Sequence, residues 1–173
     1  DHSKLEALRD IIEKYPDSKI VVWNSHPSVA DELAVALKEY YPIVLNGETP
    51  IPKGMDGDEF KESVVKHFQE SKKNRILIAG LQVLNTAVTI VESNVQIIYD
   101  CNFNFVEYSQ ALKRIHRIGQ KRNVYTYAIV IDESIDVARK KNLDDKDYLN
   151  RNFLEERFLT QAQTTELFNL KGD

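Results

Sequence analysis

The chain has 173 residues, enough for one domain with a full core and too few for two comfortable ones. Hydrophobic residues make up 42% and charged residues 29%, as in an ordinary globular protein, and no apolar run approaches the roughly 20 residues that span a bilayer. A net charge of −4 argues against coating nucleic acid by bulk charge, while leaving room for a local basic groove.

The single cysteine, Cys101, excludes an internal disulfide framework and a cysteine-rich zinc site. It fits a reducing, intracellular setting: cytoplasm, nucleoid or nucleus. The start at Asp1-His2-Ser3-Lys4 runs straight into an amphipathic pattern without a signal peptide, and a first residue other than Met leads us to expect a piece of a longer chain.

Taken in order, helix and strand alternate almost without a break. Ser3 followed by Glu6 reads as a capping box, and Leu5, Leu8, Ile11, Ile12 and Tyr15 recur at helical spacing up to Pro16. Lys19 to Trp23 is a continuous apolar run after its first residue, as expected of a strand buried on both faces. Ser28 is placed to cap a second helix with Val29, Leu33, Leu37 and Tyr40 on its apolar face. Ile43 to Leu45 is the next strand, broken by Asn46-Gly47, and a Pro- and Gly-rich loop runs to Gly57. Phe60, Val64, Val65 and Phe68 mark a third helix. Strands follow at Ile76 to Ala79, Val95 to Tyr99 and Val124 to Ile131, with a helix from about Val106 to Ile118 between the last two. This alternation predicts an α/β fold of three layers, a mainly parallel sheet covered on both faces, with a C-terminal helical segment added. Residues 1–140 are expected to form the lobe and 141–173 the helical extension.

In an open parallel sheet, ligands bind beyond the carboxyl ends of the strands. The residues there are Asn24-Ser25-His26, Asn46-Gly47-Glu48-Thr49, Gly80 onward and Asp100-Cys101-Asn102, all polar or small except the cysteine. The more informative stretch is Gln110 to Gln120. On a helix, Gln110, Arg114 and Arg117 share one face, and Ala111, Ile115 and Ile118 form the neighbouring stripe, turned to the sheet. Arginine is always charged and presents a planar fork of donors that matches phosphate oxygens. By spacing alone, a phosphate-binding face and a solvated basic face remain equally open.

Gln110 to Gln120 closely resembles motif VI of the Swi/Snf-like ATPases of helicase superfamily two, with the pattern Gln-Ala-x-x-Arg-x-His-Arg-Ile-Gly-Gln. Other segments resemble the family in the same order: Lys19 to Leu37 its motif IV, Leu45 to Pro50 and Phe68-Gln69 the segments that follow, Gln96 to Asp100 with Phe103-Asn104 the strand and turn before motif VI, Val124 to Ile131 the closing strand, and Glu133 to Asp136 the segment after it. The resemblance covers roughly residues 18 to 140. In motif V, Ala87 stands where the family usually has glycine, and Phe103 and Phe105 replace its Trp-Pro pair.

The resemblance implies the C-terminal RecA-like lobe of a DNA-dependent ATPase. ATP with Mg would bind between this lobe and an N-terminal RecA-like lobe of the same full-length chain, whose phosphate loop and acidic box are missing here. Arg114 and Arg117 would supply arginine fingers and Gln110 would help organise the cleft. Double-stranded DNA would run over Asn24, Ser25, His26, Gly47, Thr49 and Thr89, read through its backbone and not its sequence. No metal ligands are expected on this lobe, and the chain alone is expected to lack ATP turnover. A non-catalytic docking lobe and a strand-separating helicase are the alternatives. His116, Cys101 and Trp23 read as structural residues, and Asp144, Asp145 and Asp147 as a solvated helix start.

Overall fold

In the computed structural model the described residues are 2–81, 89–100, 109–110, 113–115, 119–130 and 141. Five strands, β1 (Lys19–Asn24), β2 (Ile43–Leu45), β3 (Ile76–Gly80), β4 (Ser93–Ile98) and β5 (Tyr125–Ala128), form one sheet in the order β2-β3-β1-β4-β5. Every pairing is parallel. Helices α1 (His2–Lys14), α2 (Pro27–Ala36) and α3 (Gly57–Glu70) accompany it, with a 3-10 turn at Lys38–Tyr40.

The centre of the sheet is β1, hydrogen-bonded to β3 on one side and β4 on the other. Ile20, Val21, Val22 and Trp23 are fully buried, which explains why this run is continuous where a half-exposed strand would alternate. Successive side chains point to opposite faces. Ile20 and Val22 join Leu8, Ile12, Leu33 and Leu37, so α1 and α2 cover one face. Val21 and Trp23 join Val65, Phe68, Ile90 and Ile115, so α3 and the helical residues 113–115 cover the other. The three-layer arrangement follows directly.

Two polar residues inside the sheet satisfy each other. The Trp23 indole donates to Gln96 Oε1 at 3.0 Å, and the Gln96 amide donates to the Thr126 hydroxyl at 2.9 Å. A buried indole N–H needs such an acceptor. The pair therefore ties β1 through β4 to the edge strand β5.

Boundaries differ from the sequence reading in explicable ways. The first helix starts at His2, so Ser3 lies inside its first turn and is not the cap. The second is capped at His26 and not at Ser28, because Pro27 occupies its first position, where a missing N–H costs nothing. Asp56 caps α3: its carboxylate accepts from the amides of Asp58 (2.8 Å) and Glu59 (3.3 Å), which hold its pKa below the ordinary carboxylate value. The last strand stops at Ala128, although Ile129 N still donates to Ile98 O at 3.0 Å. Expectations for residues 131–140 and 142–173, including the C-terminal helical extension, lie outside the described residues.

At the foot of α1, the hydroxyls of Tyr15 and Tyr127 share a hydrogen bond, with the Tyr125 ring 5.3 Å from that of Tyr15. The Tyr15 pKa is pushed up to about 12, first by that hydrogen bond, then by burial and by the neighbouring tyrosines. The folded state thus favours the neutral phenol. Its contribution is complete below pH 10.0 and is lost as the pH rises toward about 12. Thermal melts should show the parent losing stability more steeply across that window than Tyr127→Phe; equal slopes would contradict the linkage.

Candidate functional site

Because all five strands run the same way, their carboxyl ends share one edge, and Asn24, Leu45, Gly80, Ile98 and Ala128 mark it. The β1 loop crosses to β4 there. Tyr99 N donates to Trp23 O at 3.0 Å, Ser25 Oγ donates to Asp100 O at 3.4 Å, and His26 Nε2 lies 3.9 Å from Asp100 Oδ2. The His26 side chain is 68% exposed, so it stands at the surface of this edge.

Asn24 does not. Its side chain is fully buried, its amide donates to Ala79 O at 3.2 Å, and its own carbonyl accepts from Leu81 N at 2.9 Å. A ligand at the edge cannot touch it, and its part is to tie the β1 and β3 loops together. Direct contact from this loop falls to Ser25 and His26.

The β2 loop is self-contained. Asn46 Oδ1 accepts from Glu48 N (2.9 Å) and from the Thr49 hydroxyl (3.1 Å), and that hydroxyl accepts from Asn46 N (2.9 Å). Thr49 is thus committed to shaping the turn. A Cβ at Gly47 would meet nothing within 4 Å, so the free chain imposes no packing demand for glycine there.

Residues 109–110 and 113–115 are helical, in agreement with the expected helix. Ile115 is fully buried in the cluster with Trp23 and Ile90 and so faces the sheet as expected, while Ala111 and Ile118 lie outside the described residues. Gln110 is half-buried, and its Oε1 is a buried acceptor without a hydrogen-bond partner. Arg114 is only 6% exposed, and its backbone carbonyl accepts from Ile90 N at 3.1 Å. The face bearing Gln110 and Arg114 is therefore not an open, solvated one. Arg117, His116, Cys101 and residues 82–88 lie outside the described residues. Thr89 is half-buried at the start of a strap, residues 89–92, that leads into β4.

Three residues with no assigned role in the sequence reading hold this region. Gln69, on α3, accepts from Val91 N (3.0 Å) and Glu92 N (3.3 Å) while donating to Thr89 O (3.3 Å). Gln120 donates to the carbonyls of Val91 (3.0 Å) and Ser93 (2.7 Å). The Lys19 ammonium donates to the carbonyls of Phe68, Ser71 (2.6 Å) and Asn74 (2.9 Å) at the end of α3, and burial draws its pKa below the usual lysine value, with Glu92 opposing. A charged residue heading an apolar strand was the available signal for Lys19. For Gln69 the signal was the likeness of Phe68-Gln69 to a family segment, which marked the position and gave it no role. At the amino ends of β1 and β4, opposite the ligand edge, Asp17, Lys19, Glu92 and Gly119 to Arg122 line a cleft of about 480 Å³.

The donors here, an amide and a guanidinium, suit phosphate oxygens and not a cation. Among the described residues, no group of three or more His, Cys, Asp or Glu side chains is arranged to hold a metal, and no helix is long and apolar enough to cross a membrane.

Sheet order, parallel pairing and the anchored helix together define a RecA-like lobe. Residues 3–119 match the helicase conserved C-terminal domain, and the chain belongs to that family. It is 24% identical over 139 residues to the ATP-dependent helicase fft1 of Schizosaccharomyces pombe, covering 79% of this chain and 14% of that protein. It is 28% identical over 118 residues to the DNA excision repair protein ERCC-6-like of Mus musculus, covering 65% of this chain and 9% of that protein. The C-terminal part of the Fun30 ATPase domain superposes with a TM-score of 0.71 at 23% identity, covering 81% of this chain and 44% of that one. The Swi/Snf-like resemblance drawn from Gln110 to Gln120 agrees with these findings. The chain spans less than a sixth of the length of either relative.

Gly119, a turn residue next to Gln120, has φ +106, a conformation that side chains with a Cβ rarely adopt. A Cβ there would meet Val91 Cγ1 at an ordinary 3.6 Å, so the cost of substitution is conformational and not steric. Gly119→Ala should destabilise the purified chain by about 1–3 kcal/mol in urea unfolding. An unchanged midpoint would show that the turn is not required.

Proposed function

We propose that the chain is the second motor lobe of a DNA-dependent ATPase that couples ATP hydrolysis to translocation along, or remodelling of, duplex DNA. ATP would bind between this lobe and an N-terminal RecA-like lobe of the same full-length protein. The observation that carries this reading is Arg114, 6% exposed on a helix whose next residue, Ile115, is fixed in the core. A guanidinium held on such an anchored element approaches a phosphoryl group without having to be ordered first. Its value lies in stabilising charge that develops in the transition state. Arg117, three residues later in the sequence, is assigned the same role by the family resemblance, and the buried acceptor of Gln110 is assigned to positioning in the cleft. The magnesium ligands are assigned to the partner lobe.

Duplex DNA would cross the carboxyl edge of the sheet, over Ser25, His26, Gly47 and Thr49, whereas Thr89, tied to Gln69 at the entry to β4, lies at the other end of the strands and away from that track. Support comes from the polarity of that edge and from family membership. With a net charge of −4 and mainly uncharged groups on the track, affinity should be low and its salt dependence shallow. Asn24 and Thr49 would shape the loops that make contact.

In the intact protein, Arg117→Ala should lower DNA-stimulated turnover by roughly a thousandfold while leaving nucleotide affinity within a few-fold. Because Arg114 is buried, Arg114→Lys is the fairer second variant: it keeps the charge and removes the fork. It should lose turnover in the same direction. Normal turnover in both variants would leave a lobe that docks without contributing to catalysis.

A further inference from the structure

The two ends of the sheet differ in charge. Among the described residues, the loops leaving the strands carry Glu48, Asp56 and Asp100 against Lys53. Of the loops entering them, residues 71–75 and 119–124 hold Lys72, Lys73, Arg75, Lys121 and Arg122 and no carboxylate. Asp17 and Glu92 line the cleft at this end, and Glu39 is taken up by Arg9 at 2.7 Å. Tyrosine rings are interleaved with the cations. The Lys73 ammonium lies 3.9 Å from the centre of the Tyr41 ring, and the Arg75 guanidinium carbon lies 5.9 Å from that of Tyr40. Arg75 also donates to the Tyr15 carbonyl at 2.9 Å, and the Tyr15 ring lies 5.3 Å from Tyr125 and 6.0 Å from Tyr127. These contacts join the loops before β1, β2, β3 and β5 into one surface.

Tyr41 is its most informative member. It closes the 3-10 turn in a left-handed conformation, φ 50, where glycine or asparagine is the usual residue. A bulky side chain is strained there and, at 51% exposure, recovers little by burial. Its backbone is nonetheless locked. The Asn74 amide donates to the Tyr41 carbonyl at 2.7 Å, and Asn74 is held in turn by Ser71 and by the Lys19 ammonium. The turn itself has no need of tyrosine, so what the position supplies is the exposed ring. Tyr125, 42% exposed, is a second open ring at this end.

We propose that the amino end of the sheet is a second nucleic-acid site, for a single strand whose bases stack on Tyr41 and Tyr125 and whose phosphates meet Lys72, Lys73, Lys121 and Arg122. Stacking on these rings needs bases that no partner strand covers, and the cations take phosphates whatever the sequence. An acidic peptide would use the cations and leave the rings without a role. The site lies opposite the edge assigned to duplex DNA and stands or falls independently of the ATPase reading.

The test is equilibrium binding of a labelled single-stranded oligonucleotide, as DNA and as RNA, to the 173-residue chain at low salt, with urea unfolding alongside. Tyr41→Asn keeps a residue suited to the left-handed turn and removes the ring. Its urea midpoint should equal or exceed the parent's, while binding weakens about fivefold or more. Tyr41→Phe should bind like the parent. Joint replacement Lys72→Gln and Lys73→Gln should lower the slope of log affinity against log salt by about 1.4, at about 0.7 for each phosphate contact. DNA and RNA should respond alike, because neither rings nor cations read the sugar. No binding by the parent, unchanged affinity in Tyr41→Asn, or an unchanged slope in the lysine variant overturns the proposal. Equal displacement by polyglutamate at matched charge means that the face reads charge alone, and overturns it too. So does an equal loss of duplex binding in Tyr41→Asn, since paired bases offer these rings no free face.

Discussion

Everything in this lobe depends on β1 having a strand on each side and a layer on each face. A strand so placed can bring almost no polar side chain with it, and Ile20 to Trp23 are fully buried. Its amide and carbonyl groups must all be met by β3 and β4, and the parallel register then delivers every strand end to one edge. The ligand-facing loops are consequences of that constraint. Asn24 shows how narrow the transition is: one residue past Trp23 it is still fully buried, and only Ser25 and His26 reach the surface.

A second layer of order comes from polar side chains that bind backbone. Lys19 fixes the end of α3, Gln69 reaches from there to residues 89–92, and Gln120 takes up the carbonyls of Val91 and Ser93 from the other side. Irregular backbone lying against a core leaves N–H and C=O groups that neither helix nor sheet can satisfy. Amide side chains serve both kinds, which explains why two glutamines recur at this junction. The result is that the segment following Thr89 and the helix bearing Arg114 share one hydrogen-bonded frame.

Much of the fold was legible beforehand, because apolar periodicity is a direct imprint of burial. The five described strands overlap the five expected runs, and Ile43–Leu45 coincides at both ends. Helix starts were read less well. Ser3 and Ser28 have the right chemistry for caps, but His2 already lies in α1 and Pro27 opens α2 one residue earlier. The candidate site was legible in part. Spacing brought Gln110 and Arg114 to one face and set Ile115 toward the sheet, yet it could not tell a solvated face from a buried one; that distinction came from the 6% exposure of Arg114. Gln69 was marked by the family-like Phe68-Gln69 segment, but its bonding role was not, because its partners are backbone groups some 20 residues away in sequence, at positions 89 to 92, and long-range contacts to backbone leave no pattern in side-chain identity.

On the proposed reading, this lobe contributes half of an interlobe ATP site. The most direct measurement compares steady-state ATP hydrolysis by the 173-residue chain with that by the intact protein, each with and without duplex DNA. No turnover above a mock preparation is expected for the chain, under either condition, and DNA-stimulated turnover is expected for the intact protein. Hydrolysis by the isolated chain, or an intact protein indifferent to DNA, would contradict that reading.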